Sequence, residues 1–349
     1  MPEEKAPGLV TLEQEWRRAA RRLADAGVGE PEANAERLLL HVLGLTKAEL
    51  LRDFRELFPE ARREAWEAVL RRRERGEPVQ YITGEQHFYG RAFRVTPAVL
   101  IPRPETELLA EAVLAALPAD EPLTVADVGT GSGALAVTLA AERPMWRVVA
   151  TDLSEEALAV ARDNAARHGV AERIRFVKGD LLEPFFARAG KDVPDGRAPG
   201  GAVGDAAGLA GGDVPDASAP HAGEPDGDAL DAVVPEAGVP DVIVSNPPYV
   251  PTGELPHLQR EVAEFEPRLA LDGGADGLDA YRRLAAQLAV LPVRPRLVAL
   301  ETGAGQAESV AALLRTAADW EEIRLVRDYA GIDRHVLAFG RPHGDRFSG

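Results

Sequence analysis

From Thr11 to Arg75 apolar residues recur at helical spacing, and no stretch alternates with a period of two. Thr11, with Glu13 and Gln14 behind it, opens an amphipathic stretch that runs through Leu23. Pro31 stands where a first helical turn begins, Ala33, Leu38, Leu39, Val42 and Leu43 follow, and Gly44 ends the segment. A third helix is expected from Lys47 to Phe54 and a fourth from Pro59 to Arg75. Residues 1–79 therefore read as a small all-helical domain. Over 80–101 the texture changes. Tyr81-Ile82, Phe88-Tyr89 and Phe93-Arg94-Val95 surround Gly84 and Gly90, which predicts a β-hairpin linker. From Pro102 strands and helices alternate. The strand candidates are Thr124–Val128, Arg147–Thr151, Ile174–Val177, Val242–Ser245, Arg296–Glu301, Glu322–Arg327 and Arg334–Phe339. The expected fold over 102–349 is a Rossmann-like α/β domain, an open seven-stranded sheet with helices on both faces.

Composition changes this picture in one place. From Lys191 to Pro240 the chain is almost wholly Ala, Gly, Pro, Asp and Val, and ten acids face two bases, which gives a local charge of −8. Asp-Val-Pro-Asp occurs at 192–195 and again at 213–216. Such a segment buries too little apolar area to offset its ordering entropy, so 191–240 is expected to be a disordered low-complexity insertion. The whole chain carries −17, which leaves −9 outside the insertion and disfavours a phosphate backbone as partner. There are no cysteines, so disulfides, thiolate catalysis and cysteine-ligated metals are excluded. The start, Met1-Pro2-Glu3-Glu4-Lys5, lacks the basic and apolar regions of a signal peptide, and no apolar run reaches membrane-helix length. The arginines from Arg62 to Arg75 read as a solvated polar face opposite Trp66, Val69 and Leu70, with a basic docking patch as the alternative.

Two constellations carry chemistry. Val125-Ala126-Asp127-Val128 runs into Gly129-Thr130-Gly131-Ser132-Gly133 and then a helix from Ala134. The glycines permit a tight turn and a close backbone approach to a ligand, and the helix start offers free N–H groups. Asp152, 21 residues past Gly131 and at the next strand end, is placed to accept ribose hydroxyls. Asp180, at a third strand end, could hold an adenine amino group, with Leu181 against the ring; a capping role for Asp180 is the alternative. The loop by itself also satisfies the dinucleotide fingerprint, so a nicotinamide dehydrogenase stays open on this motif. The second constellation is Asn246-Pro247-Pro248-Tyr249, after the buried-strand pattern 241–245. Two prolines fix φ twice and remove two donors, leaving rigid carbonyl acceptors at the sheet edge. An amide or exocyclic amine nitrogen is a poor nucleophile because its lone pair is delocalised. Asn246 Oδ1 and the Pro247 carbonyl could accept its two N–H groups while Tyr249 stacks on the planar group. S-adenosylmethionine supplies a ready leaving group, so positioning does most of the rest and no metal is required. A dehydrogenase has no use for this arrangement.

With these residues in hand the chain resembles the PrmC (HemK) family, the glutamine N5-methyltransferases of class-1 peptide-chain release factors. The resemblance also rests on Pro78-Val79-Gln80-Tyr81-Ile82-Thr83-Gly84, Phe88-Tyr89-Gly90, Leu100-Ile101-Pro102-Arg103-Pro104-Glu105-Thr106-Glu107, Phe265-Glu266-Pro267-Arg268-Leu269-Ala270-Leu271 and Ala330-Gly331-Ile332-Asp333-Arg334. It implies an N-terminal helix bundle that recognises the release factor, a hairpin linker and a seven-stranded methyltransferase domain acting on the glutamine of a Gly-Gly-Gln loop. By position, Gly129, Thr130, Gly131, Ser132, Gly133, Asp152, Asp180 and Asn246 are the implied cofactor contacts, with Leu181 beside the adenine. Asn246, Pro247, Pro248 and Tyr249 are the implied glutamine clamp, with Asn246, Pro247 and Tyr249 carrying the catalysis. A cytoplasmic monomer without membrane or direct nucleic-acid contact is expected.

The insertion at 191–240 departs from the compact family pattern, and Thr302 stands where the family usually has an aliphatic residue. Glu105 and Glu107 suit a helix start, and neither Arg103 nor Thr106 is assigned a catalytic role. The seven histidines show no ligand spacing and read as structural or exposed. The alternatives are a glutamine methyltransferase of a ribosomal protein, whose relatives carry Pro-Arg-Ser-Pro where this chain has Pro104-Glu105-Thr106-Glu107, and an adenine-N6 nucleic-acid methyltransferase, which needs a basic groove. A non-enzymatic scaffold is disfavoured by the intact loop and clamp.

Overall fold

The computed structural model describes residues 10–186 and 239–341. Helices α1 (Leu12–Asp25), α2 (Pro31–Leu43), α3 (Lys47–Arg52) and α4 (Arg63–Glu74) build the N-terminal unit, and a short α5 (Val79–Thr83) leads out of it. Thr11 and Thr46 start α1 and α3 through reciprocal capping boxes with Gln14 and Glu49. Gly44 closes α2 at φ 68°, the left-handed conformation a helix end favours. Phe54 lies past the end of α3, and the fourth helix is preceded by a 3-10 turn over Glu60–Arg62. These helices close on Leu23, Leu38, Leu39, Leu50, Trp66 and Leu70, a core separate from that of the sheet. Inside it Trp66 donates its indole N–H to Glu15 Oε1 at 2.9 Å, and Arg63 meets Glu15 Oε2 at 2.9 Å.

Arg62, Glu64, Arg71, Arg72 and Arg75 are exposed, the solvated face that periodicity implies, but Glu67, Arg73 and Glu74 turn to partners within the protein. Arg22 of α1 pairs with Glu67 and with Glu74, each at 2.8 Å. Arg73 is buried; it donates to Asn34 Oδ1 at 2.8 Å and to the Glu77 carbonyl at 3.1 Å, and pairs with Glu261 at 2.8 Å. A guanidinium is tolerated there because these partners replace the water it loses.

The hairpin of the linker is β1 (Glu85–Phe88) and β2 (Arg91–Arg94), with Phe88 opposite Arg91. Tyr89 (φ 50°) and Gly90 (φ 71°) supply the two left-handed positions of its tight turn. Tyr81 and Ile82, expected within the hairpin, lie in α5 instead, because Pro78 and Gly84 bracket one helical turn.

The α/β unit follows as α6 (Pro104–Ala116), β3 (Thr124–Val128), α7 (Ala134–Glu142), β4 (Arg147–Asp152), α8 (Glu155–Arg167), β5 (Ile174–Lys178), α9 (Glu183–Phe186), β6 (Val242–Ser245), α10 (Arg260–Phe265), α11 (Asp279–Ala289), β7 (Leu297–Glu301), α12 (Ala307–Ala317), β8 (Glu322–Arg327) and β9 (Asp333–Phe339). All seven expected strands are present, in the order β5-β4-β3-β6-β7-β9-β8. The pairings β5-β4-β3-β6-β7 are parallel, and β9 runs antiparallel between β7 and β8. Successive strand residues alternate between two cores: Val125, Val242 and Leu297 face α6 and α7, while Ala126, Ile243 and Val298 face α11 and α12. Chain order reverses between β3 and β6, the position where open α/β sheets leave a crevice. The insertion expected at 191–240 lies, apart from Val239 and Pro240, outside the described residues. Among the described residues no helix is long and apolar enough to cross a membrane.

Trp66 both fills the helical core and satisfies Glu15, so Trp66→Ala opens a void and strips a buried carboxylate of a donor. The expected loss is roughly 3–5 kcal/mol of unfolding free energy in urea titrations followed by circular dichroism, and a loss below about 1 kcal/mol would show that the unit does not depend on it.

Candidate active site

The crevice between the ends of β3 and β6 is a cavity of about 480 Å³. Its first wall is the loop after β3. Asp127, almost fully buried, accepts from the Thr130 hydroxyl at 2.6 Å and from the Ala136 N–H at 3.0 Å, so it ties the loop to the start of α7. Burial pushes its carboxyl up to about 6 against those two bonds. Gly129 (φ 72°) and Gly131 (φ 54°) hold left-handed backbone, and a β-carbon on either would stand in open space. That cradle lets backbone approach a ligand where any other residue would intrude. Gly129, Thr130, Gly131 and Ser132 line the cavity. Gly133 does not; it packs against Ala161, whose Cβ would lie 3.1 Å from a β-carbon placed there.

Asp152 lines the same cavity at the end of β4. Its two oxygens accept from the N–H groups of Gly131 and Ser154, each at 2.9 Å. Burial raises its carboxyl above the usual range, opposed by those backbone bonds. Asp180 and Leu181 complete this side. Asp180 is held by Arg283, and Leu181 sits at φ 52°, a left-handed strain that side chains seldom accept outside functional loops.

The opposite wall is Asn246, Pro247 and Pro248, directly after β6. Ser245, the last residue of β6, donates its hydroxyl to the Val128 carbonyl at 2.6 Å, which locks the two walls side by side. Tyr249 is not among the cavity-lining residues. Its ring packs against Gly303, its carbonyl accepts from Gln306 Nε2 at 3.0 Å, and burial pushes its hydroxyl up to about 12. Gly273 and Gly277 crowd its backbone so closely that a β-carbon on either would lie within 2.9 Å and 2.3 Å of Tyr249 atoms. Tyr249 stays partly exposed, directly after the cavity-lining Pro248.

Periodicity and motif spacing missed two residues at this site. Thr106, on the first turn of α6, accepts from Asn246 Nδ2 at 3.1 Å and donates to Glu301 Oε2 at 2.7 Å. Glu301 ends β7 and is buried. A signal existed, since Glu301-Thr302-Gly303 is a polar run at a strand end, where α/β sites form. The Thr302 departure is absorbed locally: its N–H and hydroxyl both donate to the Arg334 carbonyl, at 2.8 and 3.2 Å. His335 is buried beside Glu301, bonded to the Glu105 carbonyl at 2.9 Å, as a structural histidine would be.

Residues 14–84 match the PrmC N-terminal domain, and residues 125–193 match a methyltransferase domain. The release factor glutamine methyltransferase of Moorella thermoacetica is 41% identical over 333 residues, covering 95% of this chain and 99% of that protein. The protein of the same name from Chlorobaculum tepidum is 38% identical over 340 residues, covering 96% and 98%. That of Cereibacter sphaeroides is 40% identical over 325 residues, covering 92% and 96%. With such identity over nearly the full length of both partners, and with a seven-stranded methyltransferase sheet behind a helical N-terminal unit, this chain belongs to the release factor glutamine methyltransferase family.

Proposed function

We propose that this protein transfers a methyl group from S-adenosylmethionine to the side-chain amide nitrogen of the glutamine in the Gly-Gly-Gln loop of a class-1 peptide-chain release factor. The observation that carries this reading is the sharing of one cavity by the glycine loop 129–132 and Asn246-Pro247-Pro248. The residues present fit the co-substrate. The cradle over Gly129 and Gly131 admits its amino-acid portion, Asp152 stands where ribose hydroxyls need an acceptor, and Asp180 with Leu181 flank the adenine position. When bound, the sulfonium supplies an activated methyl and a good leaving group. The chain's own residues hold the nucleophile. Asn246 Oδ1 and the Pro247 carbonyl accept the two amide N–H groups, which lets the nitrogen lone pair turn out of conjugation toward the methyl. As the new N–C bond forms and the C–S bond breaks, the nitrogen becomes strongly acidic and gives up one proton to water, and the product is a secondary amide. Pro247 is rigid and buried, so the acceptor needs little reorganisation during transfer.

The helical unit, residues 1–79, is proposed as the element that recognises the protein substrate. A second cavity of about 580 Å³ lies where it meets the α/β unit, lined by Asn34, Arg37, Arg73, Arg103, Glu261 and Glu266 among others. Its walls carry both signs of charge, which suits a protein surface better than a phosphate backbone.

Three outcomes test the reading. Tritiated methyl from S-adenosylmethionine is expected in a purified release factor and absent when its Gly-Gly-Gln glutamine is changed to alanine; label persisting in that variant, or entering a ribosomal protein or naked DNA instead, overturns the assignment. Asn246→Ala is expected to lower kcat roughly 10²–10³-fold while sparing cofactor binding. Asp152→Ala is expected to weaken S-adenosylhomocysteine binding roughly 10–100-fold by calorimetry, and an unchanged Kd would remove Asp152 from the cofactor site.

A further inference from the structure

Asn246 and two polar groups behind it, from distant parts of the chain, form a directed hydrogen-bond relay. Thr106 Oγ1 donates to Glu301 Oε2 at 2.7 Å, and Asn246 Nδ2 donates to Thr106 Oγ1 at 3.1 Å. The Asn246 side chain also bonds Glu301. Thr106 and Glu301 are 5% and 1% exposed, so water does not substitute for either bond. An ionised carboxylate can only accept. The single hydroxyl proton of Thr106 is therefore committed to Glu301, and its oxygen can only accept from the asparagine. That forces the NH₂ end of the Asn246 amide against the wall and leaves Oδ1 for the cavity. The two ends of an asparagine amide have nearly the same shape, so packing does not choose between them; the relay does.

Resting on the reading of Asn246 as an acceptor for the substrate amide, we propose that Glu301 and Thr106 are positioning residues that set the polarity of Asn246, with charged Glu301 holding Oδ1 toward the substrate and neutral Glu301 releasing it. A protonated Glu301 can donate to Thr106, whose proton then turns to Asn246 and draws Oδ1 to the wall. An NH₂ group would then meet the N–H groups of the incoming amide, donor against donor. Burial and the acidic Glu105 push the Glu301 carboxyl up to about 7, while the bonds from Thr106 and Asn246 and the nearby Arg334 oppose them. The histidine and the two tyrosines that face it are shifted away from neutral pH. On β9, burial drives His335 down to about 4. Burial pushes Tyr249 up to about 12, and Tyr281 of α11, whose hydroxyl donates to the Glu301 carbonyl at 2.7 Å, rises well above its usual range. Arg334 spans Asp328 and the Thr302 carbonyl, donating to each at 3.3 Å. The sign follows: loss of the Glu301 proton switches the acceptor on, so turnover rises as pH climbs through that value.

The test uses the full chain with an intact release factor and follows kcat, KM and pH profile. Wild-type kcat is expected to rise through an apparent pKa near 7. Thr106→Val is expected to cut kcat roughly 10–100-fold with KM and cofactor Kd nearly unchanged, and Thr106→Ser, which restores the hydroxyl, to recover most of it. Glu301→Gln is expected to abolish the pH step. A second readout needs no turnover: the Asn246 side-chain amide resonance, assigned by its loss in Asn246→Ala, should titrate near 7 in the wild type and stay flat in Glu301→Gln. A Thr106→Val enzyme with wild-type kcat, a Thr106→Ser enzyme as impaired as Thr106→Val, or an amide titration surviving in Glu301→Gln each overturns the proposal. A wild type that fails to label the release factor but shows the amide titration counts against the substrate assignment alone and supports the relay.

Discussion

The parallel pairing of β3 with β6 is the constraint on which the site depends. Val128 lies opposite Ser245, so the residues that follow them, Gly129 and Asn246, emerge side by side although 117 positions separate them. The Ser245 hydroxyl on the Val128 carbonyl adds a side-chain lock to the ladder. This register cannot slip by one residue without exchanging the two cores, since Val242 and Val244 face one set of helices and Ile243 the other. The apolar packing of the whole sheet thereby fixes the distance between the loop that cradles a ligand and the rigid Pro-Pro carbonyls. The chain reversal at this pair is also what opens space there, because no crossover helix covers the gap between strands whose connections leave in opposite directions.

The N-terminal unit is joined to this frame through buried polarity more than through shared apolar core. Arg73 reaches from α4 to Glu261 on α10, and within the α/β unit Arg103 holds Glu266 at 2.5 Å, just past the end of the same helix. Both pairs bear on the segment that carries Pro267, Leu269 and Ala270 into the cavity wall. Burial raises the Glu266 carboxyl, and Arg103 opposes the rise. A contact of this kind is sensitive to geometry, because a displaced partner leaves a buried charge without compensation.

Much of this was legible in the sequence where the controlling interactions are local. The strands around Val125, Val149, Val244 and Val298 announce themselves as short apolar runs followed by glycine, aspartate, asparagine or glutamate. Asn246-Pro247-Pro248-Tyr249 is legible because two adjacent prolines restrict backbone whatever surrounds them. What stayed hidden is tertiary. Tyr81 and Ile82 have strand-like side chains but obey Pro78 and Gly84. Arg73 looks like one more helical surface cation until α10 packs over it. Thr106 and Glu301 meet 195 residues apart, a juxtaposition no periodicity can encode. The close approach of Gly273, Gly277 and Gly303 to Tyr249 is likewise a meeting of distant segments.

The two walls of the site share one physical device. Beneath each loop lies a buried carboxylate, Asp127 under the glycine turn and Glu301 under the asparagine. Among the described residues neither forms an ion pair at contact distance, so hydrogen bonds must do most of the work of keeping its charge. Those donors come from the loops and the helix starts beside them: the Thr130 hydroxyl and Ala136 N–H for Asp127, the Thr106 hydroxyl and the Asn246 amide for Glu301. A buried anion that lacks cations holds its donors tightly, because any donor that leaves exposes it to a cost of several kcal/mol. Loop geometry and carboxylate ionisation are therefore one equilibrium on each side of the cavity, since burial raises both carboxyls and the hydrogen bonds they accept lower them.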